Sequence, residues 1–141
     1  ERSKSERLVR SHHIEKNVHF MGKQDSIEEF IGISDLLLLP SETESFGLVA
    51  LEAMACEVPV VASRVGGIPE VVSSDVGLLV SPASSEALTK SINQLLADHQ
   101  LWAEMSRNAR ERAETLYDWH KIAGLFISIY RRLVDRTQYD N

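Results

Sequence analysis

The chain has 141 residues, 43% of them hydrophobic and 26% charged, a composition typical of one globular domain with a hydrophobic core. Its net charge of -6 disfavours a phosphate backbone as partner, so nucleic acid binding is not expected. The single cysteine, Cys56, excludes an internal disulfide, and no apolar run reaches the roughly 18 residues of a membrane span. We therefore expect a cytoplasmic chain. If the chain is part of a longer protein, that protein is compatible with peripheral attachment at the inner membrane face.

The first elements of the chain predict part of a βαβ unit. Residues 1–14 have the charge-mixed pattern of a helix, with Leu8 and Val9 as its few buried residues. Residues 17–21 predict a short strand, and Gly22 predicts a bend at its carboxyl end. Because such a domain rarely opens on a helix between two strands, we expect the chain to be the later part of a longer protein.

A second helix and a strand complete the predicted unit. Residues 26–34 predict a helix that Asp25 caps. Its buried face would carry Ile27, Phe30 and Ile31. The four leucines at 36–39, followed by Pro40, predict a fully buried strand over residues 35–40 that leaves the sheet at the proline.

Carboxylates interrupt a core-like sequence between Glu44 and Glu52. Residues 46–56 are apolar nearly throughout, so they predict a helix buried nearly all round. A carboxylate in such a helix costs several kcal/mol unless it is paired, so Glu52 is expected to face a polar crevice or to have a dedicated partner. The unpaired N–H groups at the helix N-terminus, beside Gly47, favour a phosphate group.

Spacing alone leaves two interpretations of this stretch open. In the first, a nucleotide diphosphate lies at the helix N-terminus and Glu52 accepts hydrogen bonds from ribose hydroxyls, as in other nucleotide-binding α/β folds. In the second, Glu44 caps the helix and Glu52 pairs with a buried basic residue.

The second half of the chain predicts two strands, over residues 59–63 and 77–80, and several helices. Gly66 and Gly67 mark a loop that either lines a site at the carboxyl edge of the sheet or is a plain turn before a short helix at 69–72. Three helices follow, from Ser84 or Ser85 to about 97, from about 100 to 116, and from 118 to about 136. Their expected packing residues are Ala87, Leu88, Ile92, Leu95, Leu96, Trp102, Trp119, Phe126 and Tyr130.

Other charged and polar patterns indicate no separate chemistry. The basic stretch at 107–112 alternates with glutamates at helical spacing, which is typical of a solvated helix face. The five histidines lack metal-ligand spacing, so no metal site is expected. The sequence contains no Walker loop, no Gly-x-Gly-x-x-Gly and no Ser-His-Asp pattern.

The Glu-x7-Glu stretch, written Glu-Ser-Phe-Gly-Leu-Val-x-Leu-Glu-Ala-Met-Ala, closely resembles the signature of family-4 (group 1) retaining glycosyltransferases. Residues 18–22, 34–41, 59–62 and 66–72 match the same family in the same order. The resemblance runs from about Leu8 to Tyr130 and covers the later part of the C-terminal, nucleotide-sugar-binding domain of a GT-B fold. It implies an α/β fold whose Rossmann-like parallel sheet has flanking helices and lacks its first strands.

The resemblance also implies roles for individual residues. Glu44 resembles the catalytic-centre carboxylate that contacts the hydroxyls of the donor sugar, and Glu52 resembles the one that binds ribose. The remaining donor-binding residues would be Ser45, Phe46, Gly47 and Leu48, the last three through backbone N–H groups. The nucleobase would lie against Gly22, Lys23 and Gln24.

The implied reaction is retaining transfer of a sugar from a nucleotide diphosphate sugar to an acceptor hydroxyl, with a UDP-sugar as the expected donor. No metal or other cofactor is expected, because the helix dipole and basic side chains would stabilise the leaving charge. The run at 64–70 is similar to that of enzymes using UDP-N-acetylglucosamine, including those that glycosylate malate, but related sequences use many sugars. A non-catalytic nucleotide-sugar-binding module and a GT-B nucleotide-sugar epimerase remain alternatives.

The resemblance assigns residues 1–117 to a partial nucleotide-sugar-binding domain and 118–141 to a C-terminal helix that in the family packs back toward the N-terminal domain. The family's diphosphate-neutralising Arg and Lys, and its acceptor-binding domain, come earlier than this chain. We therefore expect these residues alone to bind nucleotide weakly and to be inactive. The missing strands should expose apolar surface, from which we expect self-association.

Two local departures from the family pattern have consequences. Glu57 stands where the family usually ends the helix with glycine, and a left-handed backbone there costs about 1 kcal/mol unless the helix ends differently. The turn at 73–77 is slightly shorter than the family's, which weakens the case for any ligand contact from that loop.

Overall fold

The structure, a computed structural model, describes residues 2–137; Glu1 of the first predicted helix and residues 138–141 of the predicted C-terminal segment lie outside the described residues. Its strands are β1 (Leu37–Leu39), β2 (Val60–Ser63) and β3 (Gly77–Val80). Its helices are α1 (Arg2–Ser11), α2 (Ile27–Ile31), α3 (Leu48–Ala55), α4 (Ile68–Val71), α5 (Ser85–Ala97), α6 (His99–Leu116) and α7 (Trp119–Thr137). The predicted α/β class is therefore confirmed.

The three strands form one parallel sheet in the order β1-β2-β3, so their carboxyl ends meet at one edge. The central strand β2 is buried at all its positions. Strand β1 lies at an edge of the sheet, and its Leu38 is 41% exposed. Leu38 is opposite Val61, on the face where α5 packs against β2 and β3 and leaves β1 less covered. The expectation of a fully buried strand at 35–40 is therefore wrong.

Residues 17–21 form no strand, contrary to the sequence-based expectation. A strand requires a hydrogen-bonded neighbour, and within the described chain β1 pairs only with β2. Phe20 and Met21 accordingly lie exposed. Gly22 adopts a left-handed backbone conformation, with φ 70°, which glycine favours, but no strand precedes it.

The first two helices bury less than their sequences predict. Helix α1 has no buried residue, so the expectation for Leu8 and Val9 is wrong. Helix α2 follows Ser26, no side chain caps it, and Asp25 is therefore not its cap. Of the three residues expected on its buried face, Ile31 is buried, whereas Ile27 and Phe30 are exposed. Helix α2 packs against α3, and this contact covers only part of its apolar surface.

The core lies on both faces of the sheet. On one face, β2 packs against apolar residues of α3, α4 and α6, with Met54 and Ile68 fully buried. On the other face, Val61 packs against Leu95 of α5 and Met105 of α6. Helix α5 begins as expected, since the Ser84 hydroxyl accepts a hydrogen bond from the Ala87 N–H at 3.2 Å.

Helix α6 holds the ends of neighbouring elements through side-chain hydrogen bonds to backbone carbonyls. Ser106 donates to Glu57 at 2.7 Å, Arg112 donates to Val71 and Glu70 at 2.9 Å each, and Arg110 donates to Ala55. The interpretation of 107–112 as a solvated face is therefore wrong for Arg110 and Arg112. Their guanidinium groups bind the carbonyls that helix ends leave unpaired.

Most of the apolar residues of helix α7 are exposed. Trp119 is 73% exposed, and Phe126 and Tyr130 are exposed as well. The expectation that these three aromatic residues are packing anchors is wrong, because no described element packs over them. Trp102 is the exception: it is half-buried, and its indole N–H donates to the Asp35 carbonyl at 2.6 Å. In α5, Leu96 is likewise exposed, contrary to expectation.

Candidate functional site

Two loops lie side by side at the carboxyl edge of the sheet. Residues 40–47 connect β1 to α3, and residues 64–67 connect β2 to α4. Because β1 and β2 are neighbours, both loops start from adjacent strand ends. This edge is where ligands bind in open parallel sheets.

The two loops touch through their backbones. The Gly67 N–H donates to the Ser45 carbonyl at 3.0 Å. A Cβ added to Gly66 would overlap the Glu44 carbonyl oxygen, and one added to Gly67 would lie 2.5 Å from the Ser45 carbonyl oxygen. The sequence left the glycine pair as either a site loop or a plain turn. In the structure, these glycines allow the second loop to press directly against the first.

The N-terminus of α3 presents a row of unsatisfied donors. Gly47 is the N-cap, with φ 85°, and no side chain caps the helix. Within residues 2–137, the N–H groups of residues 46–49 donate to no acceptor, and the Gly47 carbonyl accepts from Ala50 at 2.9 Å. Together with the positive end of the helix dipole, these N–H groups can bind an anion.

Glu44 lies half-buried next to this row of donors. Its Oε1 accepts a hydrogen bond from the Ser45 N–H at 3.0 Å. Its Cγ lies 3.8 Å from the Cβ position of Gly47. Glu44 therefore does not cap α3, and that part of the second interpretation is wrong. Its carboxylate stays at the loop surface, within reach of a group bound at the helix N-terminus.

Glu52 lies in the middle of α3 on the solvent-exposed face. Leu48, one turn earlier on the same face, is 64% exposed, so α3 is not buried all round as expected. The apolar sequence predicts that this face is covered, but the described residues contain no element that covers it. Within the same residues, no cation lies at ion-pair distance from Glu52, so the predicted buried basic partner is absent from them.

The expected nucleobase segment forms no hydrogen bond, among the described residues, with the loop at 40–47, which we call the donor loop. Gly22, Lys23 and Gln24 are exposed, and the Gln24 amide donates to the Met21 carbonyl at 2.6 Å. The segment leads into α2, which packs against α3. No hydrogen bond within the described residues joins it to Glu44 or Glu52.

Sequence reasoning missed the aromatic support of the donor loop. The ring of Phe46 meets that of Tyr117 edge to face, with centroids 6.2 Å apart and planes at 74°. The Tyr117 hydroxyl donates to the Glu70 carbonyl at 3.2 Å. Tyr117 was expected only as the residue between two helices, at the end of the 1–117 domain, and its distance along the chain from Phe46 left no sequence signal for this contact.

Residues 2–137 contain neither a metal-binding cluster nor a membrane-spanning helix. No cluster of three or more His, Cys, Asp or Glu side chains there could hold a metal ion. In the same part of the chain, none of the helices combines the length and the apolar character needed to cross a membrane.

Comparison with known proteins identifies the family. The model of the family described as "Glycosyl transferases group 1" matches residues 1–112. The chain belongs to the group 1 glycosyl transferases. One relative in this family, the N-acetyl-alpha-D-glucosaminyl L-malate synthase of Bacillus anthracis, is 46% identical over 124 residues, which cover 87% of this chain and 32% of the relative.

Two solved structures share the fold of this chain. Anabaena Alr3699/HepE in complex with UDP superposes with a TM-score of 0.89 and 30% identity, over 92% of this chain and 36% of that one. The C-terminal domain of the group 1 family protein LpcC from Francisella tularensis has a TM-score of 0.74 and 28% identity, over 84% of this chain and 63% of that domain. The chain spans about a third of the length of the malate synthase and of HepE. The predicted family and GT-B fold are confirmed.

Proposed function

We propose that the chain is the donor-binding part of a retaining glycosyltransferase that transfers a sugar from a UDP-sugar to an acceptor hydroxyl. One observation carries this proposal: in a member of this family, the unsatisfied N–H groups of residues 46–49 lie beside the carboxylate of Glu44. UDP is favoured as the nucleotide because HepE is known in complex with UDP and with UDP-glucose.

The diphosphate is the group that fits the N-terminus of α3. Its negative charge would accept hydrogen bonds from the N–H groups and interact with the helix dipole. Gly47 has a left-handed backbone, with φ 85°, that suits glycine, and the N–H groups that follow it donate to no acceptor within residues 2–137. Glu44, at the same loop, is placed to accept hydrogen bonds from the hydroxyls of the donor sugar.

Glu52 is suited to hold the ribose. From Leu48 to Glu52 the helix rises about 6 Å, roughly the span between a diphosphate and the ribose attached to it. Because Glu52 is exposed and has no ion-pair partner within residues 2–137, ribose hydroxyls can reach it without displacing a cation.

In the proposed reaction, the bond between the anomeric carbon and the diphosphate breaks, and the acceptor attacks from the same face. The N–H groups at the start of α3 stabilise the charge that develops on the departing diphosphate. Such donors are most effective when they are fixed before the reaction, because no reorganisation is then needed.

The remaining parts of the enzyme would lie outside this chain. The exposed face of α3, the outer edge of β1 and the apolar residues of α7 are surfaces that the first strands and the acceptor-binding domain would cover. In this arrangement α7 packs back toward the N-terminal domain. The length of the relatives supports this, since the chain spans about a third of them.

Calorimetry on the complete polypeptide that contains these residues tests the proposal. UDP should bind more tightly than GDP or ADP, and Glu52→Gln should weaken UDP binding by roughly tenfold, the loss of a charged hydrogen-bond acceptor. Glu104→Gln removes the same charge from an exposed position on α6 and should leave binding unchanged. Equal affinities for UDP in both variants would show that Glu52 does not hold the ribose.

The 141-residue polypeptide should transfer no sugar when it is assayed alone with UDP-glucose and an acceptor. The physical reason is that the cations and the acceptor site come from the rest of the protein. Sugar transfer by the isolated polypeptide would contradict this part of the proposal.

A further inference from the structure

The glycine pair of the second loop has contacts that a plain turn does not require. Gly66 has φ 51° and lies against the Glu44 carbonyl, and Gly67 lies against the Ser45 carbonyl and the Phe46 Cα. The next residue, Ile68, is fully buried, and its Cγ1 lies 3.2 Å from the Cβ position of Gly47. Three consecutive residues therefore contact the backbone that carries Glu44 and the donor N–H groups.

We infer that Gly66, Gly67 and Ile68 are positioning residues that hold the Glu44 loop in its ligand-binding geometry. This inference rests on the proposed function and adds to it the residues that fix the backbone conformation of the site. None of the three needs to touch the ligand. They act on the backbone from which the Glu44 carboxylate and the N–H groups of residues 46–49 project.

Apart from the edge-to-face contact of Phe46 with Tyr117, the loop has few contacts that could fix its conformation. The Ser45 N–H binds the carboxylate of its own neighbour, Glu44, and no side chain caps α3. The hydrogen bond from Gly67 to the Ser45 carbonyl is the backbone link between this loop and the sheet edge beside it. A displacement of the loop by about 1 Å is enough to cost roughly a hundredfold at a site where groups must be aligned.

Gly67→Ala is the informative substitution. Gly67 has φ -82°, which alanine adopts without strain, so the added methyl group acts by its contacts with the backbone of Ser45 and Phe46. Gly66→Ala would add left-handed backbone strain to the steric effect.

Gly77→Ala provides a matched control. A Cβ at Gly77 would overlap the Val60 carbonyl oxygen much as one at Gly67 overlaps that of Ser45. Gly77 and Val60 are the first residues of β3 and β2, so this overlap lies at the amino end of the strands, opposite the site. Gly67→Ala and Gly77→Ala should therefore lower the free energy of unfolding by similar amounts, whereas only Gly67→Ala should displace the donor loop.

The experiment compares UDP with UMP, which lacks the second phosphate, by calorimetry on the complete polypeptide. In the unaltered protein UDP should bind more tightly than UMP. Gly67→Ala should reduce this preference by roughly tenfold or more, whereas Gly77→Ala should keep it. General destabilisation of the folded protein lowers the affinities for both nucleotides together, so the ratio isolates positioning. Urea unfolding of both variants gives the accompanying loss of stability.

Each outcome has a defined meaning. An unchanged preference for UDP over UMP in Gly67→Ala overturns the inference. Equal affinity of the unaltered protein for UDP and UMP, or no binding of either, overturns the proposed function itself. If Gly67→Ala yields no folded protein, Ile68→Ala, which removes the Cγ1 that lies against Gly47, replaces it. That variant should lower the UDP preference a few-fold, and an unchanged preference there also overturns the inference.

Discussion

Glu57→Gly should stabilise the protein, because Glu57 has a backbone conformation that suits glycine. Its φ is 62°, in the left-handed region, directly after the C-cap Cys56 of α3. The Val58 N–H donates to the Ala53 carbonyl at 2.9 Å, and the Glu57 N–H donates to the Met54 carbonyl at 3.1 Å. This pair of hydrogen bonds is the Schellman ending, in which glycine is the usual residue at the left-handed position.

The size of the effect follows from two opposing contributions. A left-handed backbone costs a non-glycine residue about 1–2 kcal/mol. Glycine gains about 0.5–1 kcal/mol of conformational freedom in the unfolded chain, which opposes the benefit. Removing a negative charge near a helix C-terminus adds about 0.3 kcal/mol in favour of the variant. We therefore expect Glu57→Gly to raise the free energy of unfolding by about 1 kcal/mol, or the Tm by about 3 °C.

Urea unfolding followed by tryptophan fluorescence measures this change. Glu57→Gln keeps the left-handed strain and removes only the charge, so it should gain no more than about 0.3 kcal/mol. The hydrogen bond from Ser106 is made to the backbone carbonyl of Glu57 and survives in both variants. If the glutamine variant gains as much as the glycine variant, or the glycine variant loses stability, backbone strain is not the cause.

Three further predictions concern α6, the reacting centre and the exposed surface. Arg112→Met should lower the free energy of unfolding by about 1–3 kcal/mol, because two backbone carbonyls lose a charged donor, while the exposed Arg107→Met should change it little in urea unfolding. Glu44→Gln should lower kcat/KM of the complete polypeptide about a hundredfold with little change in UDP affinity, whereas Glu42→Gln in the same loop should change neither in a transfer assay. The isolated 141-residue chain should self-associate through its exposed apolar residues, and light scattering that shows a monomer across concentrations would contradict this.

The strands that the sequence predicted correctly are those with their partners inside the chain. Residues 59–63 and 77–80 are short apolar runs bounded by turn residues, and they pair with each other as β2 and β3. Residues 17–21 have an equally good local pattern but form no strand. Local sequence indicates that a segment can adopt an extended backbone. Forming a strand also requires a partner strand beside it, and only the structure shows which strands are adjacent.

The apolar composition of α3 and α7 likewise predicted that other elements cover these helices, but it did not show which elements those are. The sequence predicts that helix α3 is buried all round, whereas in the structure the face that carries Leu48 and Glu52 is exposed. The same holds for the aromatic residues of α7. Under the proposed function, these uncovered surfaces are where the rest of the protein would pack.

Contacts between side chains and distant backbone could not be predicted from spacing. The alternation of Arg and Glu in α6 is the pattern of a solvated helix, yet Arg110 and Arg112 bind carbonyls of α3 and α4. The sequence shows the glycine pair but not why glycine is needed there. The structure supplies the reason: the ends of β1 and β2 are adjacent, so the loop that carries Glu44 lies directly against Gly66 and Gly67.

Under the proposed function, the electrostatics of the candidate site require positive charge from outside the described residues. A nucleotide diphosphate brings negative charge to a chain of net charge -6, between the carboxylates of Glu44 and Glu52. The N–H groups of α3 offer about half a positive charge in total, which does not offset two carboxylates and a diphosphate. The carboxylates are useful to a sugar and a ribose only if cations from another part of the protein hold the diphosphate against the helix. The arrangement in this chain therefore requires a basic surface facing the N-terminus of α3, and the uncovered face of that helix is where such a surface would have room to lie.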